Sequence, residues 1–230
     1  MNSVHEPINT EGLGDCEAKA APQLPFPIGW YSIERARNLG AGEVKAIYAF
    51  DRELVLYRTR SGEAAVLDAF CPHLGAHLGH GGRVIGEDLR CPFHGWKFGQ
   101  DGNCTEIPYC EEIPTRAKLR SWPVSETNGD IMVWFHPEGD APAWEVPEVP
   151  ELSDEDWSEP QYWEFTIPNH VQNIAENVCD PEHFQYVHRQ QNTPPNEITV
   201  AEDGRVLTLV AEAEATDRNP ANTLTAIVHN

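Results

Sequence analysis

The stretch Cys71 to Phe98 reads CPHLGAHLGHGGRVIGEDLRCPFHGWKF. It holds two short pairs, Cys71-Pro72-His73 and Cys91-Pro92-Phe93-His94, separated by seventeen residues, and glycines follow each pair closely. Two thiolates and two imidazoles at this spacing make a metal-ligand set. What remains is which metal.

Zinc is the common occupant of a Cys2His2 set. Zinc sites group like ligands, as C-x2-4-C and H-x3-5-H, whereas here each loop carries one Cys and one His. The mixed arrangement suits a Rieske 2Fe-2S cluster, in which two thiolates hold one iron and two neutral imidazoles hold the other. Each loop then gives one ligand to each iron, and Pro72, Gly75, Pro92 and Gly95 shape the reversals that bring the tips together. The full string C-P-H-x-G…C-P-F-H-G-W resembles the Rieske family signature. That resemblance makes Cys71, His73, Cys91 and His94 the expected ligands of a [2Fe-2S] cluster.

The chain has 230 residues, enough for two small domains. Its 37 acidic and 16 basic residues leave a formal charge of −21, which repels phosphates and excludes nucleic acid and anionic membrane faces as natural partners. The N-terminus has no basic and apolar leader pattern, and no run approaches the roughly 18 apolar residues of a membrane span. Of six cysteines, Cys16, Cys104, Cys110 and Cys179 follow no framework spacing. They are expected as reduced thiols of a cytoplasmic protein, although Cys104 and Cys110 stand close enough to pair.

Residues 1–24 are polar and aperiodic, and are expected as a flexible arm. From 25 to 137 the text is β: short apolar runs at 29–33, 43–50, 53–59, 64–70, 118–124 and 131–136 alternate with turn sequences such as Ser61-Gly62 and Asn128-Gly129. This predicts a small antiparallel sandwich or barrel with the two Cys/His loops at one end. Residues 138–160, acidic and proline-rich, read as a solvated linker. Beyond it, 161–167 reads as a strand, 168–190 as helical, and 196–202, 205–215 and 221–228 as strands. The fold class expected is α+β and mostly β, a β domain followed by the start of a helix-plus-sheet domain over 161–230.

The helical stretch contains Asp180, His183 and His188, a D-x2-H-x4-H pattern. Histidines on a helix are most often just hydrogen-bonded or exposed. Geometry adds a difficulty: His188 lies five residues past His183, about 140° round a straight helix, so both imidazoles cannot meet one atom. A break is required. Asp180-Pro181 supplies one, since proline disfavours the α-region before it and starts helices well, and a π-bulge would serve equally. Asp180 would then cap a second helix.

Together the two constellations resemble the Rieske non-heme iron oxygenases, over nearly the whole chain from about residue 25. The resemblance implies a helix-grip-like catalytic domain holding mononuclear Fe(II) on two histidines and a carboxylate. His183 and His188 match the histidines. Asp180 matches the carboxylate that bridges an iron histidine to a cluster histidine of the neighbouring subunit in a homotrimer. The third ligand in that family lies well beyond the second histidine, and only 42 residues follow His188 here. The sequence also stops at TLTAIVHN, strand-like in character. The expectation is therefore that the C-terminal half of the catalytic domain, with the third carboxylate, is missing from this chain.

High-potential Rieske proteins carry a loop disulfide and a serine after the second H-G; this chain has Ala76, Phe93 and Trp96 there. Fewer hydrogen bonds to the cluster sulfurs place its potential toward the low end of the roughly −150 to +300 mV range. Leu74 replaces an arginine of many ring-hydroxylating dioxygenases. The runs DGNCTEIPY, NGDIMVWFH and HVQNIAEN…DPEHFQYVH look most like the sterol-acting group, the cholesterol 7-desaturases and ketosteroid 9α-hydroxylases. That resemblance implies hydroxylation or desaturation of a hydrophobic, sterol-like substrate with O2. Electrons would come from NAD(P)H through a ferredoxin or reductase. Three competing readings are an aromatic-ring-hydroxylating oxygenase, a Rieske electron carrier without catalysis and a zinc-stabilised β domain. A carrier needs no D-x2-H-x4-H.

Overall fold

The computed structural model describes residues 24–158, 160–187, 196–202, 206–212 and 223–229. Its first eleven strands fill the predicted β region. They are β1 (Gly29–Arg35), β2 (Val44–Ala49), β3 (Arg52–Arg58), β4 (Ala64–Asp68), β5 (Arg83–Ile85), β6 (Asp88–Arg90), β7 (Lys97–Phe98), β8 (Cys104–Glu106), β9 (Ser121–Trp122), β10 (Val124–Thr127) and β11 (Asp130–Phe135). They form three antiparallel sheets, ordered β1-β11-β10, β2-β3-β4-β9 and β5-β6-β7-β8.

The middle sheet is apolar on both faces, which strict alternation explains. On β3, Val55 and Tyr57 point into one core with Leu67, Leu89 and Phe98, while Leu54 and Leu56 point into a second with Val66, Ile131 and Val133. Successive side chains of a strand face opposite ways, so a continuous apolar run marks a strand covered on both sides. The first core lies beneath the Cys/His loops. The second ties the middle sheet to β1-β11-β10.

Arg58 holds the edge of this arrangement. Its guanidinium donates to the carbonyls of Leu39 (2.7 Å), Gly62 (2.7 Å) and Ala36 (3.2 Å) and to Glu126 (2.8 Å). Pro123 divides the run expected over 118–124, leaving the short β9 and a separate β10.

The acidic stretch is held more firmly than a solvated linker. Trp30 Nε1 donates to the Trp144 carbonyl at 2.8 Å and Trp134 Nε1 to that of Asp140 at 3.0 Å. Asn128 clamps Pro147 and Val149 through both ends of its amide, at 2.9 Å each. Half-buried indole N–H groups need acceptors, and this segment's carbonyls supply them.

The strand expected at 161–167 is not formed. Trp163 and Phe165 are 71% and 79% exposed. Alternation marks a surface that can be covered, and it does not supply the pairing strand. Tyr162 is anchored instead by Arg35, whose guanidinium lies 4.0 Å from its ring centre. The remaining predicted strands form a further antiparallel sheet, β12 (Asn196–Val200), β13 (Val206–Glu212) and β14 (Thr223–His229). Among the described residues no helix is long and apolar enough to cross a membrane.

Candidate functional site

The two Cys/His loops repeat one backbone design. In the first, the Cys71 N–H donates to the Ala76 carbonyl at 2.9 Å and Gly75 N–H to the Cys71 carbonyl at 2.9 Å. In the second, Cys91 donates to Trp96 at 2.8 Å and Gly95 to Cys91 at 3.2 Å. Gly75 and Gly95 close the turns at φ +72° and +78°, a region that side chains with a Cβ avoid. The turns are thus alike in backbone, while the histidine stands one position later in the second, two residues after Cys71 in one and three after Cys91 in the other.

The tips meet over the first core. Cys71 and Cys91 are each 3% exposed, and the His73 and His94 rings lie edge to face with centroids 4.6 Å apart. The first loop is braced further by His77, whose Nδ1 accepts from Gly79 N–H at 3.0 Å while Nε2 reaches Glu53 at 3.0 Å. Burial, with the Cys91 thiol facing it, pushes the Cys71 thiol up to about 12, against a backbone N–H of His73 that favours the thiolate.

The donor set fits an iron–sulfur cluster. His73 Nδ1 is buried with no hydrogen-bond partner. A buried, unpaired ring nitrogen beside two crowded thiols is costly unless something cationic binds them all. Among the described residues no three His, Cys, Asp or Glu side chains gather round a single ion position.

Residues outside the two loops complete the site, and sequence reasoning missed them. An isolated bridge between Ile107 and Cys110 folds a tight turn beside the second loop. Trp96 stacks on His73 with centroids 4.7 Å apart and planes 7° from parallel, and its Nε1 donates to the Tyr109 hydroxyl at 2.8 Å. Tyr109 lies in the DGNCTEIPY run, where an aromatic beside a turn proline was the available signal. Cys104 and Cys110 do not pair: Cys104 is buried, and the exposed Cys110 donates to the Glu112 carbonyl at 3.1 Å. Cys16 lies outside the described residues.

The second constellation is built on two short helices, α1 (Val171–Val178) and α2 (His183–Tyr186), separated at Asp180-Pro181 as the geometry required. His170 caps α1 through Nδ1, which accepts from Gln172 N–H at 3.2 Å, and its ring packs 6.2 Å from Phe26 of the β domain. Asp180 is exposed, and its Oδ1 accepts from Glu182 N–H at 3.1 Å in the turn ahead of α2; the residue in the cap position is Glu182, so the N-cap expected at Asp180 is displaced by two residues. His183 Nδ1 contacts the Asp180 carbonyl. A carbonyl can only accept, so in this contact Nδ1 is the donor. Orientation by a backbone carbonyl is the usual support of a metal-binding histidine. His188 lies outside the described residues.

Comparisons with known proteins agree with both halves. Residues 29–123 match the model of the Rieske [2Fe-2S] domain, and residues 133–227 that of the 3-ketosteroid 9alpha-hydroxylase C-terminal domain. Cholesterol 7-desaturase nvd 1 of Ciona intestinalis is 42% identical over 172 residues, which are 74% of this chain and 37% of that protein. A probable 3-ketosteroid-9-alpha-monooxygenase, oxygenase component, of Rhodococcus rhodochrous is 39% identical over 170 residues, 73% of this chain and 42% of that one. The chain thus spans about two fifths of the length of these relatives. Among solved structures, dicamba monooxygenase bound to dicamba aligns with a TM-score of 0.59 at 25% identity, over 79% of this chain and 55% of that one. NdmA of Pseudomonas putida CBB5 with caffeine, 21% identical, shares the fold at a TM-score of 0.63, over 87% of this chain and 62% of that one. Matching the Rieske domain over 29–123 and the ketosteroid hydroxylase C-terminal domain over 133–227 in one chain, the protein belongs to the Rieske oxygenases, a family of oxidoreductases.

Proposed function

We propose that this chain belongs to the terminal component of an O2-dependent oxygenase that hydroxylates or desaturates a hydrophobic, sterol-like substrate. The substrate class rests on relatives named as cholesterol 7-desaturases and as a 3-ketosteroid monooxygenase component. When bound, the [2Fe-2S] cluster supplies single electrons originating in NAD(P)H and delivered by a ferredoxin or reductase, and mononuclear Fe(II) supplies O2 activation.

In this reading Cys71 and Cys91 hold one cluster iron through thiolates, and His73 and His94 hold the other through imidazoles. Ala76, Phe93 and Trp96 add no disulfide and no hydroxyl donor, which keeps the potential toward the low end of the Rieske range. His183 and His188 hold the mononuclear iron, with His183 presenting Nε2. The third carboxylate is assigned to no residue of this chain. Asp180, exposed beside His183, bridges to a cluster histidine of a neighbouring subunit in a homotrimer, giving the electron a short hydrogen-bonded route.

The observation that carries this is the juxtaposition, in one chain, of two mirrored Cys/His loops with an orphaned His73 Nδ1 and a downstream Asp180–His183 pair. Anaerobic reconstitution with iron and sulfide tests it. The expected product is red-brown, with two irons and two sulfides per chain in the cluster. A colourless protein that takes up zinc overturns the reading.

A further inference from the structure

We propose that Trp96 and Tyr109 form a positioning pair for His73, fixing the plane of its ring and hence the aim of its buried Nδ1. This rests on the assignment of His73 as a cluster ligand. A histidine's outer torsion is broad and roughly two-fold, so backbone placement alone leaves the ring plane loosely set. A ring nitrogen binds along its lone pair, which lies in that plane. Something beyond the loop must therefore hold the plane.

The geometry points to the indole. Its face covers His73 at 4.7 Å and 7°, an offset stack. Trp96 is itself 9% exposed and fixed by its Nε1 donating to Tyr109 at 2.8 Å. Tyr109 is 61% exposed, so burial does not hold it. The turn does: Cys110 N–H donates to the Ile107 carbonyl at 3.1 Å, and Pro108 sits so close that a Cβ on Gly95 would meet its Cγ at 3.2 Å. The turn thus rests Pro108 on the second loop and Tyr109 on the indole. His94 has different ring neighbours: it lies edge-on to His73 and 4.0 Å from the exposed Phe93. The two candidate imidazoles are therefore supported differently.

The test compares Tyr109→Phe, Trp96→Phe, the double variant and Trp96→Leu as reconstituted proteins. Iron and sulfide content, the EPR g-values of the reduced cluster and the rate of cluster loss to a chelator are read. Tyr109→Phe and Trp96→Phe remove opposite ends of one hydrogen bond, so each should shift the g-values. Each should also speed cluster loss about two- to tenfold, the range an ordinary hydrogen bond sets. The double variant should be no worse than either single one. Trp96→Leu, which also loses the stack, should exceed them. If it does not fold, the exposed Tyr109 and the aromatic replacement at Trp96 still decide. Wild-type g-values and loss rates in both phenylalanine variants, or additive effects in the double, overturn the pairing. A wild-type protein that assembles no cluster overturns the ligand assignment instead.

Discussion

The end of the β domain that carries Cys71, His73, Cys91 and His94 differs sharply from the segment that carries Asp180 and His183. The cluster loops are repeated, closed by left-handed glycines, floored by a buried core and covered by a third turn. The segment that carries Asp180 and His183 is one eight-residue helix and one four-residue helix, held by the His170 cap on α1, a turn bond from Asp180 and an aromatic contact to Phe26. Helices this short are marginal on their own and take their stability from packing. The contrast teaches that the proposed cluster site is built rigidly within one small domain. The proposed mononuclear iron site leans on neighbours for its shape.

The largest break in that contrast is Cys91→Ser. One thiolate of a four-ligand set is gone, and the expected result is complete loss of the red-brown cluster, read by absorbance and sulfide content. His183→Ala is the matching break on the other side. It should abolish mononuclear iron binding while leaving two irons and two sulfides in place. Loss of the cluster in that variant would mean the two sites are not separately built.

Gly82→Ala probes the rigidity itself. An added Cβ would stand 2.1 Å from the Leu78 carbonyl oxygen, a backbone atom that cannot swing aside. The loop must shift, at a cost of about 3 kcal/mol, measured as a drop in denaturation midpoint. No position on α1 or α2 is expected to be as intolerant.

The two regions were also unequally legible. The apolar run at 53–59 announced a strand, though not its burial on both faces, and the string C-P-H-x-G…C-P-F-H-G-W pointed to a Cys/His ligand set through its resemblance to the Rieske signature. The helix break at Asp180-Pro181 followed from an angle that a straight helix could not satisfy. Contacts made across the fold were not readable. Trp96 reaches Tyr109 thirteen residues on, and Trp30 reaches Trp144 across 114, with no local pattern to mark either partner. The run at 161–167 misled for the opposite reason: its pattern is that of a strand, but a strand exists only when a neighbour accepts its hydrogen bonds.

The finest test separates the two roles that meet in Asp180. As the turn acceptor ahead of α2 it needs only an oxygen toward Glu182 N–H, which an asparagine also offers, so Asp180→Asn should leave local stability nearly unchanged while Asp180→Ala costs about 1 kcal/mol. As a bridge between imidazoles it must accept from both sides, and an amide has only one accepting atom. Asp180→Asn should therefore keep both metals and slow reoxidation of the reduced cluster by O2 and substrate. Stability kept in Asn and lost in Ala, with reoxidation unchanged in Asn, would make the residue a turn acceptor and nothing more. The same pair of variants then measures how far the O2 site depends on charge that a neighbouring subunit must receive, which is where it departs most from the self-braced loops around Cys71 and Cys91.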